Sequence, residues 1–218
     1  TAPDGVTILD GGSTTYLTPS DGLSSGRAKA IMEDRDGSMW IGTIDGLNHL
    51  VGGRITSFDM DDGLPDPAVS SIYRDRAGTL WVGTANGLAR WNGSRFEAVP
   101  LGDGGPENVR ILFEDRRGVF WIGGADGFGT FADGAFAPMP EFHDIHLQSV
   151  HQDPDGTLWI TSWNDGLYRV RDRKVVRFRS TDGLNDDVAW SILDDGEGFF
   201  WLGSNRGITR VSRRELNE

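Results

Sequence analysis

Apolar residues along this chain come in short bursts of four to six, separated by Gly, Asn and Asp. Almost no segment carries the 3.6-residue apolar period of an amphipathic helix. The bursts are therefore expected to be strands. In one well-marked stretch the pattern predicts a strand over Val69–Arg74, ended by the turn Asp75-Arg-Ala-Gly78, and a second over Thr79–Gly83. The turn Thr84-Ala-Asn-Gly87 then leads to a third strand, Leu88–Trp91. Asn92-Gly93 is a hairpin signal because both residues tolerate positive φ, and a fourth strand follows over Arg95–Val99.

This four-strand unit repeats. Its landmark Trp falls at Trp40, Trp81, Trp121, Trp159 and Trp201, in steps of 41, 40, 38 and 42 residues. A unit of about 40 residues built from four antiparallel strands (a to d) is the signature of a β-propeller blade. The expected fold is all-β: a single propeller domain over 1–218 with five repeats, either a closed five-bladed ring or a fragment of a larger propeller. The partial blade covers 1–23, and the blades run over about 24–66, 67–107, 108–146, 147–186 and 187–218. Gly5–Leu9 matches strand c and Gly12–Pro19 strand d, while the other end stops after strand c, Gly207–Val211. Pairing of the N-terminal strand d with the last blade would remove an open sheet edge and leave one strand c surplus. The repeated Trp are expected to pack in the core, each with a partner for its N–H. Gly42, Gly83, Gly123 and Gly203, two residues after a Trp, would admit a close neighbour.

Composition narrows the function. With 33 acidic and 21 basic residues the net charge is −12, against the basic face that nucleic acid or an anionic membrane requires. No Cys is present, which excludes disulfides, zinc-thiolate sites and a thiol nucleophile. No apolar run approaches the roughly 20 residues of a membrane helix, so a membrane link would run through a missing segment of a longer parent chain. The first residue is not Met, and the chain reads as processed or excised from something longer.

The segments Asp36-Gly-Ser-Met-Trp-Ile-Gly-Thr-Ile-Asp-Gly-Leu47 and Ala77-Gly-Thr-Leu-Trp-Val-Gly-Thr-Ala-Asn-Gly-Leu88 show a recurring pattern. With the linkers Asp21-Gly-Leu23, Asp62-Gly-Leu64 and Asp182-Gly-Leu184, it resembles the two-component regulator propeller repeat. That resemblance implies a periplasmic or extracellular sensor region of a bacterial hybrid histidine kinase or diguanylate cyclase, in a family associated with glycan sensing. It implies recognition of a small molecule or oligosaccharide, with no catalytic residue and no cofactor. A second resemblance, to streptogramin lyase, implies a metal-assisted elimination. However, His49, His143, His146 and His151 recur at no common blade position. A scaffold that associates through its propeller edges, as a homo-oligomer, is the third reading.

The candidate site comes from aligning the blades. The second residue of strand a is Lys29, Ser70, Arg110, Gln148 and Trp190, unlike in every blade and mostly polar among repeating neighbours. These residues are expected at the channel mouth, on the face shared by d-to-a linkers and b-to-c turns. Trp163 sits in the one b-to-c turn with an extra residue, and Arg206 in another. Trp163, Trp190 and Arg110 are the preferred ligand contacts, the two Trp as stacking platforms. His143, Asp144 and His146 could ligate a metal but read better as a polar loop, and no metal site is assigned. The Asp-rich turns at Asp34, Asp153 and Asp194 read as hairpin turns rather than calcium loops.

Overall fold

The computed structural model describes residues 5–217. Apart from short 3-10 turns, they form antiparallel strands. A two-stranded sheet, β1 (Val6–Asp10) and β2 (Ser13–Leu17), comes first. The next sheet is β3 (Ala28–Glu33), β4 (Met39–Thr43), β5 (Leu47–Val51) and β6 (Arg54–Phe58), paired in that order. It is followed by β7 (Val69–Arg74), β8 (Leu80–Thr84), β9 (Gly87–Trp91) and β10 (Phe96–Val99). The third full sheet is β11 (Glu107–Glu114), β12 (Phe120–Ala125), β13 (Phe128–Ala132) and β14 (Ala135–Pro138). The fourth is β15 (Leu147–Gln152), β16 (Leu158–Ser162), β17 (Leu167–Arg171) and β18 (Lys174–Phe178). The last sheet has three strands, β19 (Ser191–Asp194), β20 (Phe199–Ser204) and β21 (Gly207–Ser212). These are propeller blades, and the strands fall within a residue or two of their expected places.

The chain divides into two compact units, one up to Gly102 with Glu107–Leu112, the other Asp103–Pro106 with Phe113 onwards. Strand β11 carries the chain from the first into the second. The second strands β8 and β16 are buried on both faces, whereas β20 of the last blade is partly exposed. Outer strands such as β6 and β18 alternate between partly buried and exposed positions. The first unit buries Leu64, Val69 and Phe96 around Trp40, and the second buries Leu184, Phe200 and Leu202 around Trp159.

The expected closure by N-terminal strand d is not made. Strand β2 pairs along its whole length with β1, Val6 opposite Leu17 through Asp10 opposite Ser13. The surplus strand c thus has a local role: it holds strand d in a hairpin whose turn, Gly11 and Gly12, needs positive φ at both residues. In the Asn92 turn only Gly93 takes positive φ. Asn92 acts instead through its side-chain oxygen, which accepts from Ser94 N, Ser94 Oγ and Arg95 N.

The recurring Asp-Gly-Leu has a three-part physical basis. In Asp21-Gly22-Leu23 the carboxylate accepts from Thr18 N at 2.9 Å, Gly22 takes φ 104°, and Leu23 is buried. Asp62 and Asp182 accept in the same way from Asp59 N and Arg179 N. The third blade lacks the motif, and there Phe142 is the buried anchor, packed on Phe128 and Tyr168.

In four blades the Trp finds its acceptor six residues upstream. Trp40, Trp81, Trp121 and Trp159 donate from Nε1 to Asp34, Asp75, Asp115 and Asp153 at 3.0, 2.8, 3.2 and 2.8 Å. The Asp-rich turns are therefore Trp anchors as well as hairpin turns. The fifth blade departs from this. Asp195 accepts instead from Glu197 N, Phe199 N and Arg210 Nη2. Trp201 is 41% exposed, with Arg210 lying over it, which corrects the expectation that all five Trp are core. Trp40, Trp81 and Trp159 are buried, and Trp121 only partly.

Close approach at the glycines is real. A Cβ on Gly42 would lie 2.5 Å from Val69 Cγ1, and one on Gly83 would lie 2.4 Å from Val109 O.

Candidate functional site

Three of the unlike positions on strand a share a structural origin. The pairing of β3 with β4 slips between Ala28 and Ala30, that of β7 with β8 between Val69 and Ser71, and that of β15 with β16 between Leu147 and Ser149. Lys29, Ser70 and Gln148 are thus the extra residues of β-bulges. A bulge leaves one residue out of the ladder and re-aims its side chain, which frees that position from the packing that makes its neighbours repeat.

Linkers and b-to-c turns do share a face within each unit. In the first, Ser24 Oγ lies 2.9 Å from Thr43 Oγ1. In the second, Gly166 N donates to Asp187 O at 2.8 Å and Arg206 Nη1 to Asn185 O at 3.3 Å.

In the first unit Ser70 and Arg110 are brought together by Asn108, which the sequence reading passed over. With its amide turned to satisfy both neighbours, Asn108 donates to Ser70 Oγ at 2.9 Å and accepts from Arg110 Nη2 at 2.9 Å and Nε at 3.3 Å. Asn108 holds φ 46°, a left-handed conformation that Asn tolerates better than most residues. Burial lowers the pKa of the Arg110 guanidinium, since a half-buried cation loses hydration. Lys29 stands exposed and makes no ion pair among the described residues.

The second unit brings Trp163 and Trp190 into contact. Their rings meet edge to face, centroids 4.4 Å apart at 81°, with 44% and 36% of the residues exposed. Backbone bonds enforce this: Trp163 N donates to His146 O, Ala189 N to Ser162 O and Trp190 N to Gly203 O. These bonds tie the longer turn of the fourth blade to the entry of the fifth. Trp190 Nε1 donates to Asn205 at 2.9 Å, which fixes its ring. Gln148 is half-buried and Arg206 exposed. Asp165, in the same turn, is already occupied by Tyr168, Arg177 and Arg179. Burial raises the Tyr168 pKa, with nearby Arg177 opposing it.

Metal-binding chemistry finds little support in the loop at 141–146. His143 pairs with Asp144 at 2.9 Å, and His146 faces Asp126 at 3.8 Å. Elsewhere His151, Asp153 and Asp194 converge, but Arg213 holds both carboxylates, at 2.5 and 2.9 Å. A guanidinium already neutralises that cluster.

The two-component regulator propeller family matches residues 22–45 and 63–86. The extracellular domain of BT4673 from B. thetaiotaomicron, named in two structures as a one-component and as a hybrid two-component system, is similar in sequence and fold. The first of these is 26% identical over 95% of this chain and 30% of that one, with a TM-score of 0.80. The second is 27% identical over 89% and 28%, with a TM-score of 0.73. This chain thus spans less than a third of those domains. Virginiamycin B lyase from Staphylococcus aureus shares the fold alone, at 17% identity over 85% of this chain and 70% of that one, with a TM-score of 0.64. No curated protein matches the sequence. No helix among the described residues is long and apolar enough to cross a membrane. Two stretches of this chain thus match the two-component regulator propeller family, and the chain shares its fold with these extracellular domains.

Proposed function

We propose that this chain is a recognition module of a two-component-type signalling protein, placed in the periplasm or outside the cell, which binds a small molecule or oligosaccharide without transforming it. The observation that carries this reading is the Trp163–Trp190 pair. The blade repeat requires neither Trp, yet both are held in fixed, exposed orientations by backbone and Asn205 bonds. Exposed aromatic area of this kind is unfavourable in water and suits the face of a sugar or aromatic ring. The bulge residue Gln148 and the turn residue Arg206 supply polar groups in the same unit, as Lys29, Ser70 and Arg110 do in the first.

The test is thermal unfolding against a panel of oligosaccharides and small aromatics. A ligand at 100 times its Kd adds about 2.7 kcal/mol. The proposal expects a stabilising ligand whose effect disappears in Trp163→Ala and Trp190→Ala, with the unliganded melting temperature little changed. No response across the panel, with the mass in solution showing association, would favour a scaffold instead.

A further inference from the structure

A second site stands apart from the Trp163–Trp190 pair, between the third and fourth sheets of the second unit. A cleft of about 490 Å³ opens there among the a-to-b turn of the third blade and the c-to-d hairpin of the fourth. Trp121, Thr130 and Val170 line it together with charges of both signs, Arg117, Arg171 and Arg173 against Asp115, Glu141, Asp155 and Asp172. Asp115 accepts from Trp121 and Asp155 pairs with Arg171, which leaves Arg117 and Arg173 facing Glu141 and Asp172 as the remaining charges.

Two positions that cover Trp40 in the first blade carry smaller residues around Trp121, and this opens the cleft. Opposite the Trp on strand c stand His49, Arg90, Arg169 and Arg210 in the other blades, but Thr130 in the third. His49 shows what is missing, since it stacks flat on Trp40 with centroids 3.9 Å apart. The second gap comes from the neighbouring blade. In the second blade the cross-strand pair Trp91–Phe96 is aromatic, and Phe96 lies edge-on to Trp40 at 6.4 Å. The same pair in the fourth blade is Val170–Val175. Trp121 is therefore left partly exposed. Phe128, stacked on it at 5.1 Å, and the bond to buried Asp115 hold it in place.

The hairpin at the rim is the independent observation. Turns of this kind in the chain place glycine second: Gly11-Gly12, Gly52-Gly53 and Asp133-Gly134, all at positive φ. The fourth blade has Asp172 at φ 49° and Arg173 at φ 61°. A bulky residue in the left-handed region is unfavourable, and such outliers gather at binding sites. The guanidinium groups of Arg117 and Arg173 make no ion pair among the described residues, whereas Arg171 pairs with Asp155. A fixed indole beside two uncommitted guanidinium groups suits a ring that carries a carboxylate: the ring packs on the indole, and the carboxylate takes paired N–H donors.

We propose that this cleft binds a ring-bearing carboxylate, with Trp121 as the platform and Arg117 and Arg173 as the anion clamp. The ring is either an acidic sugar or an aromatic acid. Calorimetric titration with glucuronate and with phenylacetate, against glucose and benzyl alcohol as uncharged counterparts, tests this on the whole chain. One carboxylate is expected to bind about tenfold or more tightly than its uncharged counterpart, and which one names the source. Arg173→Gly is expected to weaken binding about tenfold while raising the melting temperature, which separates binding from folding. Thr130→Arg, which supplies the residue other blades carry, is expected to fill the cleft and abolish binding in a folded protein. Trp163→Ala is expected to leave this binding intact. Binding of neither carboxylate in the millimolar range, or binding unaffected by both Arg173→Gly and Thr130→Arg, would overturn the proposal.

Discussion

The Trp–Asp bond repeats in sequence, but its energetic weight should differ sharply between blades. Asp153→Ala provides the test. Trp159 is fully buried, and its Nε1 would lose its acceptor at 2.8 Å, leaving an indole N–H inside the protein without a partner. That alone costs about 1–3 kcal/mol. Arg213, whose side chain is only 20% exposed, would lose one of two carboxylates while keeping Asp194 and the Phe200 ring. Breaking a buried pair outright costs about 3–5 kcal/mol, and the retained partners hold the loss below that sum. The total should be about 3–5 kcal/mol. Asp195 occupies the same sequence position in the fifth blade, but it caps turn N–H groups and meets a 40%-exposed Arg210. Asp195→Ala should therefore cost clearly less than Asp153→Ala. At about 2–4 °C per kcal/mol for a chain of this size, heat denaturation followed by circular dichroism should show a loss of about 6–20 °C for the first and a clearly smaller loss for the second. Equal losses would refute the argument that burial, rather than the motif, sets the energy.

Gly83→Ala should destabilise by about 1–3 kcal/mol in denaturant titration, because its Cβ would meet Ser71 Oγ at 2.2 Å and the Val109 carbonyl at 2.4 Å. Gly203→Ala meets only Ser191 Oγ, at 2.8 Å, which a hydroxyl rotation relieves, and should cost well under half as much. Burial lowers the pKa of His49 from 6.5, with the nearby Asp36 and Asp34 opposing. The unfolded chain therefore binds this proton more readily than the folded one. The contribution is complete above the ordinary value and is lost as pH falls through the lowered one. His49→Phe keeps the stack on Trp40 and should remove that part of the pH dependence of the melting temperature. Asp155 and Asp187 are both lowered below 3.8, chiefly by backbone N–H donors at Thr157 and Ser180. Their contribution is present above that value and should be lost as pH falls below it, visible as a steepening decline in melting temperature under acid. A melting temperature flat down to pH 2 would contradict this.

Much of the blade was legible in the chain because each element is fixed locally. Alternation and turn residues placed Val69–Arg74 at its observed bounds, and Gly22, Gly63 and Gly183 marked linkers that need a left-handed residue. The candidate site was legible only in outline. Its positions stood out as the unlike members of a repeating column. That three of them are bulge residues was not visible, because a bulge is a property of pairing between two strands. Asn108 and Asn205 were missed because a single Asn carries no spacing signal. The cleft at Trp121 was hidden because the repeated Trp looks the same in every blade, although the small Thr130 was there to be noticed.

By itself the sequence determined what depends on near neighbours along the chain: the strands, the hairpins, the repeat, and the Asp-Gly-Leu linker with its capped turn, positive φ and buried Leu. Tertiary structure alone decided what depends on residues far apart in number. It brought Trp163 against Trp190 across 27 positions, and left Trp121 partly uncovered while Trp159 was sealed. The physical reason is that backbone conformation is set by local sterics and hydrogen bonding. Burial and side-chain contact depend instead on which other strands arrive alongside, and identical motifs then acquire different environments.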